Sequence, residues 1–243
     1  MTEADVSKRL EQITGEATAA LGDNLLSLVL YGSHARGEAH ARSDINLFMV
    51  VKDSRAISIK PLIGIVPGWQ KLGATAPVIF EFSQLERSAD TFALELAEMA
   101  CTHKILFGED PFKGYSPDWR EVRNELEHES RQKTIYLKRR WLASRGKDKA
   151  YEALIKETVP GYLALLRGAA LLKRRSVDPM SLDEAFEELS GLTWFSTAIW
   201  KKLRGAAKHK EKVPRAELLP LLLEYIEQAR AMVRYFDGLP DEG

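Results

Sequence analysis

An α+β protein is expected: an N-terminal α/β part with a short mixed sheet over residues 1–113, then an all-α helical bundle over residues 114–243. Three observations predict it. Short apolar runs bounded by turn residues alternate with helical periodicity as far as Gly114, whereas only helical periodicity remains after Tyr115. The charge balance also shifts, from 11 Lys+Arg against 15 Asp+Glu in residues 1–113 to 24 against 20 in residues 114–243. The turn-rich stretch Glu109 to Gly114 marks the change without a flexible linker.

The elements follow in order. Val6, Leu10, Ile13 and Ala17 recur at helical spacing, and Gly22-Asp23-Asn24 stops that helix. Leu25 to Tyr31 is a continuous apolar run, read as a buried strand, with a helix expected to open at Gly32-Ser33. Ile45 to Val51 is a second strand, led by Asp44. Pro61 and Pro67 interrupt a helix ending near Leu72, and Pro77 to Phe82 form a third strand. Ser83 with Glu86 has the spacing of a capping box, Asp90 to Ala100 a helix, and Lys104 to Gly108 a fourth strand. The second part reads as helices over 117–144, 148–175 with a kink at Pro160-Gly161, 181–189 behind the capping box Ser181/Glu184, 193–207 and 215–236.

The bulk properties exclude several classes. Formal net charge is zero, so no general polyanion attraction is expected, and the clusters Lys138-Arg-Arg140 and Lys173-Arg-Arg175 are too short to argue for nucleic acid. No apolar run nears the roughly 18–20 residues that span a bilayer. The single Cys101 and the polar first residues point to the cytoplasm. The aromatic residues Trp119, Tyr136, Trp141, Trp194, Phe195 and Trp200 lie at helical spacing and read as interhelical packing.

Chemistry concentrates between Leu28 and Val51. A strand runs into Gly32-Ser33, where glycine lets backbone approach a phosphate and Ser33 adds a hydroxyl donor. After ten intervening residues come Asp44-Ile45-Asn46. Positions i and i+2 of a strand share a face, so Asp44 and Asn46 are expected to point together. Oxygen ligands beside a phosphate cradle suit Mg²⁺, which takes one or two carboxylates with phosphate oxygens. Glu81 is the acidic residue inside a strand-like run, so it is a candidate third ligand or a general base. Arg36 and Arg42 flank the cradle and match phosphate geometry. His34 and His40 have no partners at metal spacing and read as loop histidines.

At these residues the chain resembles the nucleotidyltransferase superfamily that includes DNA polymerase beta, aminoglycoside nucleotidyltransferases and the minimal nucleotidyltransferases. Gly32-Ser33, Ala35-Arg36-Gly37 and Ser43-Asp44 match its pattern of Gly-Ser, about ten residues, then Asp-x-Asp. The resemblance implies a nucleotidyltransferase-like first domain and transfer of a nucleoside monophosphate from a Mg²⁺-bound nucleoside triphosphate to an acceptor hydroxyl. It implies Asp44 and the position of Asn46 as metal ligands and Gly32-Ser33 as the phosphate cradle; with the residues read above, the candidates are Asp44, Asn46 and Glu81 for metal, Asp44 and Glu81 for catalysis, and Gly32, Ser33, Arg36 and Arg42 for substrate. By analogy with aminoglycoside-modifying relatives, Glu152 or Glu157 would serve the acceptor. The departure is Asn46, which stands where the family has its second aspartate and brings no charge. An inactive protein of the same fold, binding nucleotide or another protein, is therefore the alternative. The acceptor and the oligomeric state, a homodimer included, stay open. Arg123 and His128 match the spacing of HEPN ribonucleases, yet five helical positions leave the two side chains about 140° apart.

Overall fold

The computed structural model describes residues 3–39, 43–85, 92–208 and 213–240. Inter-residue contacts divide the chain into two units, Met1–Asp90 with Glu98–Ser116, and Thr91–Ala97 with Pro117–Gly243. The first holds a four-stranded mixed sheet with helices, and the second is all helix.

In the first unit, α1 (Glu3–Leu21) leads through a 3-10 turn into β1 (Leu25–Tyr31). Then come β2 (Asn46–Val51), α2 (Ala56–Ile59), α3 (Leu62–Lys71), β3 (Val78–Glu81), α4 (Phe82–Leu85), the last residues of α5 (Ala93–Cys101), whose part up to Ala97 belongs to the second unit, and β4 (His103–Gly108). The sheet order is β3-β2-β1-β4. β1 pairs antiparallel with β2 and β4, whereas β2 and β3 run parallel. Both faces of the central strands are covered, as their unbroken apolar runs require. Leu28, Leu30, Leu47, Met49 and Val51 pack with Ile13 and Ala17 of α1 and Trp69 of α3. The indole N–H of Trp69 donates to Glu16 Oε2 at 2.8 Å, so the polar tip of this buried ring is satisfied. On the alternate positions, Phe48 meets Phe80 and Phe112 at ring separations of 5.5 Å each.

β4 locks onto β1 through a bulge. Gly108 has φ +75°, and a Cβ there would lie 1.9 Å from the Leu26 carbonyl oxygen. Only glycine fits.

The second unit is built around α7 (Asp148–Arg174), which packs against α6 (Trp119–Ala143), α8 (Leu182–Leu189), α9 (Thr197–Ala207) and α10 (Arg215–Asp237). Tyr162, Trp200 and Tyr225 meet at ring separations of 5.3–6.0 Å in its core. Their hydroxyls are bonded, Tyr162 with Thr134 at 2.9 Å and Tyr225 donating to Thr158 at 3.0 Å. Of the other aromatic residues, Phe195 is buried and Tyr136 is exposed.

Several local expectations change. The chain forms only a turn over 32–37, so no helix opens at Gly32-Ser33. α7 continues through Pro160 without a break. Pro160 is exposed, so the carbonyl it leaves without a donor one turn earlier can face water, and the helix survives. Ser83 lies inside α4 and is not its N-cap, and the expected partner Glu86 falls outside the described residues. α9 begins at Thr197, capped by Ser196, rather than at Thr193. The capping box at Ser181 and Glu184 forms as expected. Among the described residues no helix is long and apolar enough to cross a membrane.

Candidate functional site

β1 ends at Tyr31, which pairs directly with Asn46, the first residue of β2. Gly32 then takes φ +77° and turns the chain back over that pair. The turn closes through Arg36 N–H to the Gly32 carbonyl at 3.1 Å and Glu38 N–H to the Ser33 carbonyl at 2.9 Å. Among the described residues, the N–H groups of Ser33, His34 and Ala35 donate to no backbone carbonyl. They form a short row of donors, the arrangement that suits an anion. His34 Nε2 donates to the Ser43 carbonyl at 3.1 Å and ties the turn to the residue before Asp44.

Asn46 sits beneath this turn. Its Nδ2 lies 2.8 Å from where a Cβ on Gly32 would be, so a side chain at position 32 would press on the Asn46 amide. Its Oδ1 accepts from Thr75 Oγ1 at 3.3 Å. Thr75 is brought there by a bridge in which Ile45 N–H donates to Gly73 and Thr75 N–H donates to Ile45. Asp44 is exposed, two residues before Asn46. Arg36 Nε lies 3.3 Å from Glu38 Oε2, both side chains being mostly covered. Arg42 lies outside the described residues.

Glu81 is not part of this cluster. The parallel register sets Glu81 beside Val51, the last residue of β2, whereas Asn46 is the first. At about 3.3 Å per residue, roughly 16 Å of strand separates the two ends. Its carboxylate is already engaged, accepting from Ser83 Oγ at 2.6 Å and from both N–H and Oγ of Ser54 at 3.3 Å. The Ser83 bond, followed by the Ser54 amide, lowers its pKa below the usual value. Glu81 thus joins the loop after β2 to the end of β3. Asp53 stands close by in sequence and accepts from Arg55 at 2.7 Å and Ser58 at 2.6 Å, which hold its carboxyl far below the ordinary range.

This donor set fits a two-ion magnesium site poorly. Among the described residues, two carboxylates stand near the turn, the exposed Asp44 and Glu38, which is paired with Arg36; the amide oxygen of Asn46 is turned to Thr75, and Glu81 is at the other end of the strand. Thr75 is the neighbour that sequence reasoning missed. It precedes β3, and only the strand register reveals that it faces Asn46.

In the helical unit, Glu157 accepts from the Tyr136 hydroxyl and from Arg140 at 3.0 Å, and both bonds lower its pKa. Such a carboxylate is a poor proton acceptor. Arg123 lies against Glu127, and His128 accepts from Gln132 at 2.6 Å, so the two are engaged separately. A cavity of about 570 Å³ opens at the other end of the sheet from the Gly32 turn, between Leu25, Ser27, Val50 and Phe107.

No protein-family model matches the chain, and no curated protein does. Among solved structures, spectinomycin adenyltransferase AAD(9) from Enterococcus faecialis, crystallised with ATP and spectinomycin, superposes with a TM-score of 0.59. The chains share a fold. The likeness covers 93% of this chain and 98% of AAD(9), at 11% sequence identity.

Proposed function

We propose that the turn after β1 binds the phosphates of a nucleoside triphosphate. Transfer of the nucleoside monophosphate to an acceptor hydroxyl would proceed there at a rate lowered roughly 10²–10³-fold by the missing charge at position 46. The observation that supports this reading is the pairing of Tyr31 with Asn46, which brings the donor-lined Gly32 turn to the start of β2, two residues from Asp44. The fold shared with AAD(9), whose crystal structure holds ATP, agrees with it.

In this reading Ser33 and the amides of the turn orient the phosphate chain, and Gly32 gives it room. The acceptor oxygen attacks the α-phosphorus in line, a new P–O bond forms as the hydroxyl proton passes to solvent, and the bond to the leaving pyrophosphate breaks. Asp44 is the carboxylate at hand for a magnesium ion, which would neutralise charge on the phosphates when bound. Pyrophosphate release from ATP, measured with and without hydroxyl acceptors, tests the proposal. Asn46→Asp is expected to raise the rate about 10²-fold. If neither Asn46→Asp nor Asp44→Ala changes turnover, this is not the site of transfer.

A second reading, a nucleotide-binding or protein-interaction module without transfer, is favoured by the engagement of Glu81 far from Asn46. Nucleotide binding by calorimetry, with no pyrophosphate release even in Asn46→Asp, is its expected signature.

A further inference from the structure

We propose that Asn46 binds phosphate oxygen directly as a hydrogen-bond donor, so that a triphosphate binds the Gly32 turn without a divalent cation. The inference rests on the nucleotide-binding reading and deepens it. It starts from the orientation of one amide. Asn46 Oδ1 accepts from Thr75 Oγ1 at 3.3 Å, and Nδ2 lies at the Gly32 side, 2.8 Å from the vacant Cβ position. The amide is planar, so with its oxygen placed on Thr75 the NH₂ lies on the side of the turn.

This reverses the polarity of the position. A carboxylate would present two acceptor oxygens, and a phosphate approaching one of them is repelled unless a cation lies between. The NH₂ instead adds donors to those already in the turn, the Ser33 hydroxyl and the amides of Ser33, His34 and Ala35. Phosphate oxygens accept from all of these. The cation side of the site is correspondingly thin, because the Asn46 oxygen is committed to Thr75 and the Glu81 carboxylate is held by Ser54 and Ser83 at the far end of β2. Thr75 is a positioning residue in this scheme: it touches no ligand and sets which end of the amide faces the turn.

Calorimetric titration of the full chain with ATP, and with inorganic tripolyphosphate as the base-free probe, tests this in EDTA and in magnesium. ATP affinity in EDTA is expected within about threefold of that in magnesium. Tripolyphosphate should follow the same pattern, since the phosphates carry the contact. Asn46→Asp is expected to weaken binding in EDTA by about tenfold or more, the scale of a lost charge-assisted hydrogen bond, with magnesium restoring it. Thr75→Val frees the amide to turn over and should weaken binding in EDTA several-fold while sparing binding in magnesium; it is the fallback if Asn46→Asp does not fold. Binding of the wild-type chain in magnesium alone overturns the inference and leaves the nucleotide reading standing. Binding in neither buffer overturns both.

Discussion

The two ends of β2 treat charge in opposite ways. At the Val51 end, Glu81 and Asp53 are saturated by local donors, the hydroxyls of Ser54, Ser58 and Ser83, the guanidinium of Arg55 and two backbone amides. At the Asn46 end the turn carries amides that meet no backbone carbonyl among the described residues, and the Asn46 NH₂ lies against Gly32. A carboxylate surrounded by its own hydrogen bonds stabilises a loop, and a row of backbone donors at a turn suits an anion. That separates structural charge from the charge a ligand would meet.

The contrast can be broken most sharply at position 46. Asn46→Asp makes the donor end acidic and is expected to raise pyrophosphate release in magnesium by about 10², read in a coupled assay. Gly32→Ala comes next. A methyl group would meet the Asn46 amide in a backbone conformation that costs an L-residue about 1–2 kcal/mol. Triphosphate binding should fall about tenfold on a chain whose circular dichroism is unchanged. Glu81→Gln sharpens the comparison from the other side. It should leave triphosphate affinity within about twofold of wild type and lower the melting temperature, since an amide accepts more weakly than a carboxylate from Ser54 and Ser83.

The smallest effect is in the pH dependence. The folded-state pKa of Glu81 lies below the ordinary 4.5 because Ser83 and Ser54 bond the ionised form. Its contribution is complete above 4.5 and is lost as pH falls toward the folded value. Asp53 behaves alike, held down by Arg55 and Ser58, over a lower range that starts at 3.8. Thermal melts between neutral pH and pH 3 should therefore show wild type losing more stability than Glu81→Gln, and the two curves converging at the acid end. Parallel curves would mean that Glu81 is not bonded as described.

Much of the fold was legible because periodicity and burial are coupled. The apolar runs of β1 and β2, the helical stripe of α1 and the capping box at Ser181 all appear where their residues require them. Glu81 lies away from Asn46 for a specific reason. Alternation puts it in a strand, but alternation does not say whether that strand runs parallel or antiparallel to its neighbour. An antiparallel β3 would have brought Glu81 toward Asn46, whereas the observed parallel register carries it to Val51. The role of Thr75 was hidden for the same reason, since it depends on the bridge between Ile45 and Ala74. The missing helix after Gly32 has a local cause. Gly32 and Gly37 both take positive φ, +77° and +70°, and confine the chain to a single turn.

The direct pairing of Tyr31 with Asn46 also bears on the order of folding. β1 and β2 form a local antiparallel pair, whereas β1 must wait for a distant segment to supply β4, as the pairing of Ser27 with Gly108 requires. Closing the shorter loop costs less entropy, so the hairpin that carries the Gly32 turn and Asn46 is the natural nucleus of this unit. A ligand bound by that hairpin would then accelerate refolding more than it slows unfolding, and stopped-flow traces with and without ATP would register the difference.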